Sequence, residues 1–283
     1  MTEPMQAFSF DTPGATLVEW GAAARLGQLL TDWFSQRNLL IVTDKFLHEA
    51  GLLDAAKASL AACGFTVSVF DDVVADPPEA VLMACVAQGR AAGADIVIGL
   101  GGGSSMDIAK LVAVLLIGEQ PLSELYGIGK VRGPRLPLVQ VPTTAGTGSE
   151  VTNITILTTG ETTKMGVVSD QLYADRVVLD GALTCGLPPV HTAATGIDAM
   201  VHAIEAYTSA HKKNPLSDVL AREALRLLSA NLVEACRDGQ NRRAREAMLR
   251  FFQTTRFLPI DPASEQALRR MQTGVARVRA EVE

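Results

Sequence analysis

The chain has 283 residues, more than one compact domain usually holds, so two domains or one large one are expected. Its 48% hydrophobic and 20% charged residues are ordinary globular composition, and 24 glycines against 5% aromatics suit an α/β protein with close backbone approaches. A formal charge of −6 at pH 7 argues against nucleic acid or an anionic membrane as partner, because both reward a basic face.

Four cysteines, Cys63, Cys85, Cys185 and Cys236, lack CxxC spacing and read as reduced thiols rather than a disulfide frame or zinc knuckle. The opening MTEPMQAFSF has neither a basic n-region nor an apolar h-region, and no apolar run reaches roughly 18 residues. A cytoplasmic chain with no membrane partner is the expectation.

Up to residue 187 short apolar runs alternate with helical stretches. Strands are expected at 39–43, 65–70, 95–100 and 137–141, and helices at 54–63, 79–92 and 104–116. Asp76-Pro77-Pro78 marks a turn, and 101–103 is three consecutive glycines. Strands alternating with helices of that length indicate parallel β-α units and a doubly wound sheet. From Pro188 the pattern turns helical, over 192–208 and 215–237, with no strand-like run between. A domain boundary is therefore expected at Leu187-Pro188-Pro189, giving an α/β domain over 1–187 and an all-helical one over 188–283. Residues 241–283 hold nine arginines, no lysine and five acids. Asp261-Pro262 offers an N-cap and first-turn proline for a last amphipathic helix, with Leu268, Met271, Val275, Val278 and Val282 at spacings of 3 and 4.

The segment IVIGLGGGSSMD at 96–107 runs an apolar strand through a glycine turn into a helix. Glycines let backbone N–H groups approach an anion, and the helix N-terminus adds partial positive charge, which together suit a pyrophosphate. The structural reading is a tight turn with Ser104 as N-cap and Asp107 as capping-box acid. Ser104 stands where GxGxxG needs its third glycine, and the acid expected about 20 residues later to hold a ribose is missing from the expected strand, so this is not the ordinary Rossmann fingerprint. A second loop, PTTAGTGSE at 142–150, follows the strand at 137–141 and is rich in hydroxyl and amide donors; read alone it is also a plain Ser/Thr surface loop. Two such loops at strand ends of one sheet point to a nucleotide crevice. Asp44, at the end of the strand at 39–43, can accept from a ribose hydroxyl or simply cap the next helix.

Asp198 and His202 lie four apart in the helical stretch GIDAMVHAIEAY at 196–207, so about 40° separates them on one face. A carboxylate and an imidazole at that spacing can chelate one divalent ion or make a surface hydrogen bond. Glu205 is either support for such a site or a surface charge. His211 is out of phase with that face unless the helix ends first, and His48 and His191 read as loop residues without a role.

GGGSSMD at 101–107, VPTTAGTGSE at 141–150 and GIDAMVHAIEAYTS at 196–209, in that order, resemble the signatures of the iron-containing (group III) alcohol dehydrogenases. NPLSD at 214–218 and Val42-Thr43-Asp44 fit as well, and the resemblance spans roughly residues 8 to 249. It implies a dinucleotide-binding α/β domain, a helical metal domain and a site in the cleft between them. By that resemblance Gly102, Gly103, Ser104 and Asp107 hold the diphosphate side of a nicotinamide cofactor. Thr143, Thr144, Thr147 and Lys164 line the rest of it, Leu183 lies near the adenosine, and Asp44 favours NAD by repelling a 2′-phosphate. Asp198 and His202 match the first two metal ligands, to Fe(II) or to zinc or another divalent ion. The implied reaction is hydride transfer between a small primary or secondary alcohol and NAD, with the corresponding aldehyde or ketone as product.

The family carries two further histidine ligands in a later segment, whereas this chain has four histidines and none after His211. Likeness to the family fades at about Met248, and Asp180-Gly181 stands where Asp-Pro is usual. The expectation is a member whose helical domain is incomplete, with a divergent tail from about 249. Three readings follow: an alcohol dehydrogenase, an inactive NAD-binding remnant, or an assembly subunit; homo-oligomerisation is left open.

Overall fold

The computed structural model describes residues 8, 10–160, 162–209 and 213–250. In chain order these form β1 (Ala15–Val18), α1 (Leu26–Trp33), β2 (Asn38–Val42), α2 (Lys45–Glu49), α3 (Asp54–Ala62), β3 (Thr66–Phe70), α4 (Glu79–Ala91), β4 (Ile96–Gly101) and α5 (Gly103–Leu115). There follow β5 (Gly127–Ile128), β6 (Leu138–Pro142), β7 (Ile154–Thr159), β8 (Thr163–Val168), β9 (Arg176–Leu179), α6 (Pro189–Thr208), α7 (Pro215–Arg237) and α8 (Arg242–Arg250). The last helix expected from Asp261-Pro262, and His211, lie outside the described residues.

Six strands make one parallel sheet in the order β1-β9-β6-β4-β2-β3. Its central strands are apolar on both faces because both faces are covered. In β2, Leu39 and Ile41 join the core that includes Leu26, Leu30, Leu53 and Leu60 from the α1–α3 side. Leu40 and Val42, one residue out of phase, join Leu82, Ile108, Leu111 and Val112 on the side of α4 and α5. The chain leaves β2 through α3 toward β3 at one edge and leaves β4 through α5 toward β6 on the other side. That reversal puts a crevice at the carboxyl ends of β2 and β4, where open α/β sheets bind ligands.

The α/β half is not built from β-α units alone, as the sequence pattern predicts. β7 and β8 form an antiparallel hairpin around Gly160 (φ 60°), and β5 adds to β8 in parallel, giving a small three-stranded sheet. No strand is expected from ITILTTG at 154–160, yet Thr155 and Leu157 both turn inward and are 1% exposed. Strands β1 and β9 also went unforeseen, being only four residues long.

After β9 the regular elements among the described residues are all helical. α6 starts on Pro189 in its first turn, and Asn214 caps α7 by accepting from the Ser217 N–H at 2.9 Å. α6 and α7 approach closely at Gly196, where a Cβ would stand 2.3 Å from Leu232 Cδ1. Their core is rich in alanine, with Ala199, Ala203, Ala224, Ala235 and Ala244 around Leu228, Met248 and Leu249. No helix among the described residues is long and apolar enough to cross a membrane, and all four cysteines are free.

Candidate cofactor crevice and metal pair

The glycine turn starts inside β4. Gly102 is the N-cap of α5 in extended conformation (φ −78°, ψ −175°), and no side chain caps the helix. Ser104 is thus the second helical residue and not the cap that the sequence suggests. Nor is Asp107 a capping-box acid. It accepts from Ser149 Oγ at 2.5 Å, in the β6–β7 connection, and from the Ile156 N–H of β7 at 3.1 Å. With no side chain closing it, the first turn of α5 keeps its N–H groups for an anion.

The second loop leaves β6 still paired to the turn, the Thr143 N–H donating to the Gly101 carbonyl at 3.0 Å. A Cβ on Gly103 would stand 2.8 Å from Thr147 Cγ2, while one on Gly102 would meet nothing nearer than Thr144 Cγ2 at 3.8 Å. Only glycine lets the turn lie this close to the loop and leaves its backbone open beside Thr144. Asp44 follows β2 and caps α2, accepting from the Leu47 N–H at 3.0 Å. Asp44, the 102–104 turn and the 143–147 loop therefore sit at the carboxyl ends of three adjacent strands.

Leu183 follows β9 and is 9% exposed, packed into the α1–α3 core. Lys164 is not at a strand end of the main sheet. It stands on β8 and pairs with Asp76, which belongs to the turn after β3. That turn and the hairpin are joined by the Thr158 N–H donating to the Pro77 carbonyl at 3.0 Å.

On α6, His202 Nε2 and Asp198 Oδ1 are 3.7 Å apart, so the two share one face as their spacing predicts. The His202 ring also hydrogen-bonds to the backbone of Gly146, which orients it. Burial holds this imidazole below its ordinary range, in the neutral form that offers a lone pair to a metal. Glu205, half-buried on the same helix, has its carboxyl raised by burial and by the Asp198 charge, so it belongs to this electrostatic neighbourhood. Among the described residues no group of three or more His, Cys, Asp or Glu side chains comes together to ligate a metal. His48 and His191 lie in helices, not loops: His48 on α2 within 2.6 Å of Asp71 Oδ2, His191 exposed in α6.

The crevice and the metal pair share the 142–150 loop. Ala145 packs with Ala199 and Ala203, and a Cβ on Gly146 would stand 2.6 Å from Thr195 Cβ. One face of the loop therefore meets the glycine turn while the other presses on the helix that carries Asp198 and His202. A separate cavity of about 300 Å³ opens at the ends of β1 and β9 between Trp20, Leu179, Arg242 and Leu249, away from that pair.

Residues 13–181 match the iron-containing alcohol dehydrogenase family, and residues 192–251 match the C-terminal region of the same family. The chain belongs to that family. It is 42% identical over 210 residues to a sulfoacetaldehyde reductase of Bilophila wadsworthia, covering 74% of this chain and 54% of that protein. Over 238 residues it is 42% identical to long-chain-alcohol dehydrogenase 1 of Geobacillus thermodenitrificans, covering 82% and 59%. Among solved structures, a 1,3-propanediol oxidoreductase superposes with a TM-score of 0.83 at 34% identity, over 87% of this chain and 64% of that one. A sulfoacetaldehyde reductase from Bifidobacterium kashiwanohense, solved with NAD+, gives 0.81 at 30% identity, over 88% and 65%. The chain thus spans less than two thirds of the length of these relatives.

The sequence reading missed Lys110, which is fully buried beneath this site. The signal was present: a lone lysine inside IAKLVAVLL, an otherwise apolar run one turn after Asp107. Asp180 has no role in the sequence reading beyond preceding Gly181, which stands where the family usually has Pro. Asp180 accepts from the Gly21, Ala23 and Ala182 N–H groups, and the Gly181 that follows leaves room for Trp20, whose ring would lie 3.0 Å from a Cβ there.

Proposed function

We propose that this chain serves NAD-dependent, metal-assisted interconversion of a small primary or secondary alcohol with its aldehyde or ketone. The observation that carries the reading is the 142–150 loop, which touches the glycine turn on one side and the helix of Asp198 and His202 on the other. A hydride acceptor in the crevice and a substrate oxygen at the pair would then lie next to each other. The uncapped N-terminus of α5 takes the diphosphate through Gly102, Gly103 and Ser104, with Thr143, Thr144 and Thr147 as further donors. Asp107, committed to Ser149 and Ile156, supports these groups from behind. Lys164 and Leu183 flank them, and Asp44 accepts from a ribose hydroxyl and disfavours a 2′-phosphate. Free cysteines suit a reducing, cytoplasmic setting.

Asp198 and His202 fit a divalent ion: the imidazole is neutral and held by Gly146, and a carboxylate and imidazole suit Fe(II) or zinc. When bound, such an ion supplies Lewis acidity toward the alcohol oxygen, and NAD supplies the hydride acceptor. A catalytic metal usually has about three protein ligands, and among the described residues two come together here. That count favours a second reading, an NAD-binding chain without turnover. Anaerobic Fe(II) loading followed by desalting, with Asp198→Ala as control and NADH fluorescence alongside, separates the two. Near one ion per chain, lost in the variant, with NADH bound, supports the first; NADH bound without metal supports the second. Neither bound overturns both.

A further inference from the structure

We infer that Lys110 is a positioning residue of the crevice: its buried ammonium ties the far end of the 142–150 loop to the interior of α5, so that the loop and the glycine turn form one pre-set cradle. The inference takes from the nucleotide reading only what the cradle holds; the tie itself stands on geometry.

Lys110 is 0% exposed. An ammonium has three protons, and all three are used: Ser149 Oγ accepts at 2.8 Å, Thr152 Oγ1 at 3.1 Å and the Ile154 carbonyl at 2.6 Å. None of these acceptors belongs to α5. All lie on the short stretch that leads from the loop into β7. Asp107, one turn earlier on α5, stands 3.5 Å from the ammonium and accepts the Ser149 hydroxyl proton. Ser149 is thereby fixed in both roles, acceptor from Lys110 and donor to Asp107. Asp107 also takes the Ile156 N–H, and its own carbonyl accepts from Thr155 Oγ1 at 3.0 Å. Glu150, 1% exposed, supplies a second carboxyl beside the lysine.

The other end of the loop is held by a different device, the Thr143 N–H on the Gly101 carbonyl. A segment fixed at both ends, one to β4 and one to α5, has its middle constrained against the helix that begins at Gly103. A buried charge is costly, and an apolar core in place of the whole network would serve stability alone at least as well, although Lys110→Met by itself strands the Ile154 carbonyl and the Asp107 carboxylate. What the lysine provides and methionine does not is direction: three bonds to three defined atoms of the loop's exit.

Lys110→Met tests this. Amide hydrogen exchange of the ligand-free protein should show residues 143–152 exchanging about tenfold faster with β4 and β6 unchanged, and the NADH Kd should rise about tenfold. Val114→Ala, buried on the same helix with no bond to the loop, should lower Tm while loop protection and Kd hold. A folded Lys110→Met with unchanged protection over 143–152 overturns the tie. Faster exchange with an unchanged Kd overturns the positioning role. Should Lys110→Met not fold, Thr152→Val removes one acceptor and should shift both readouts the same way by a smaller factor; no shift overturns the proposal. If the wild-type chain binds no NADH, the functional reading fails and the exchange data alone decide the tie.

Discussion

The two halves of the molecule hold their chemistry by opposite means. In the α/β half the groups facing the crevice are backbone amides and hydroxyls on loops fixed from behind, one by the buried Lys110 and the part-buried Asp107 and the other by running into the uncapped start of α5. In the helical half two side chains on a single helix carry the site, with 21% of His202 and 47% of Asp198 exposed, over a core in which alanine replaces most large residues. A loop site has to be fixed by something outside itself, whereas a helix fixes the spacing of its own side chains and leans on neighbours only for orientation. The contrast predicts where each half is fragile. Leu228 is 0% exposed and one of few large side chains between α6 and α7, so Leu228→Ala should cost about 2–5 kcal/mol. Hydrogen exchange should show α6–α8 losing protection while β4 and β6 keep theirs. Equal losses in both halves would mean one cooperative unit and erase the distinction.

Glu150 gives the α/β half a pH signature of its own. Burial pushes its carboxyl from 4.5 up to about 7, against the opposing attraction of Lys110. In the unfolded chain it ionises near its ordinary value, so between pH 4.5 and 7 the folded state binds more protons than the unfolded one. Stability should therefore fall as pH rises through that window and level off above it, with about 2–3 kcal/mol at stake. Urea titrations at pH 5 and pH 8 measure it. Glu150→Gln should flatten this component, and an unchanged slope in the variant would place the titrating group elsewhere.

What could be read beforehand divides along the same line. The central strands announced themselves because burial on both faces demands uninterrupted apolar runs, and α7 fills the 215–237 that its helical period predicts. Asp198 and His202 were legible as a pair because helical spacing alone brings them together. The turn and the second loop were legible as composition, but which residue caps α5, where Asp107 points and how the loop is held depend on packing between segments about 40 residues apart. The β7–β8 hairpin hid for a related reason: Thr155 is polar in sequence but buried because its hydroxyl finds the Asp107 carbonyl.

Asp44 permits a sharper cut at the proposed cofactor preference, because its two roles can be separated. Asparagine caps a helix about as well as aspartate, so Asp44→Asn should leave stability within about 0.5 kcal/mol. It removes the negative charge, and the affinity for NADPH relative to NADH should rise about tenfold. Titrating both cofactors into both proteins by fluorescence checks this; an unchanged ratio would mean that the carboxylate does not face the 2′ position.

A small effect on stability is also expected at Lys164, and it distinguishes a structural pair from a cofactor contact. Its side chain is 45% exposed and that of its partner Asp76 is 79% exposed, the regime in which an ion pair contributes about 0–1 kcal/mol. The hairpin is already fastened to the Asp76 turn without it, by the Thr158 N–H on Pro77 and by Thr158 Oγ1 on the Asp76 carbonyl at 2.9 Å. Lys164→Ala should therefore unfold at nearly the same urea concentration as wild type. If the ammonium leaves Asp76 for the cofactor, the NADH Kd should still rise by about three- to tenfold and lose part of its dependence on salt. A loss of stability above about 1 kcal/mol with the Kd unchanged would make the pair a clasp between hairpin and turn, and would leave the crevice to the glycine turn and the threonine loop alone.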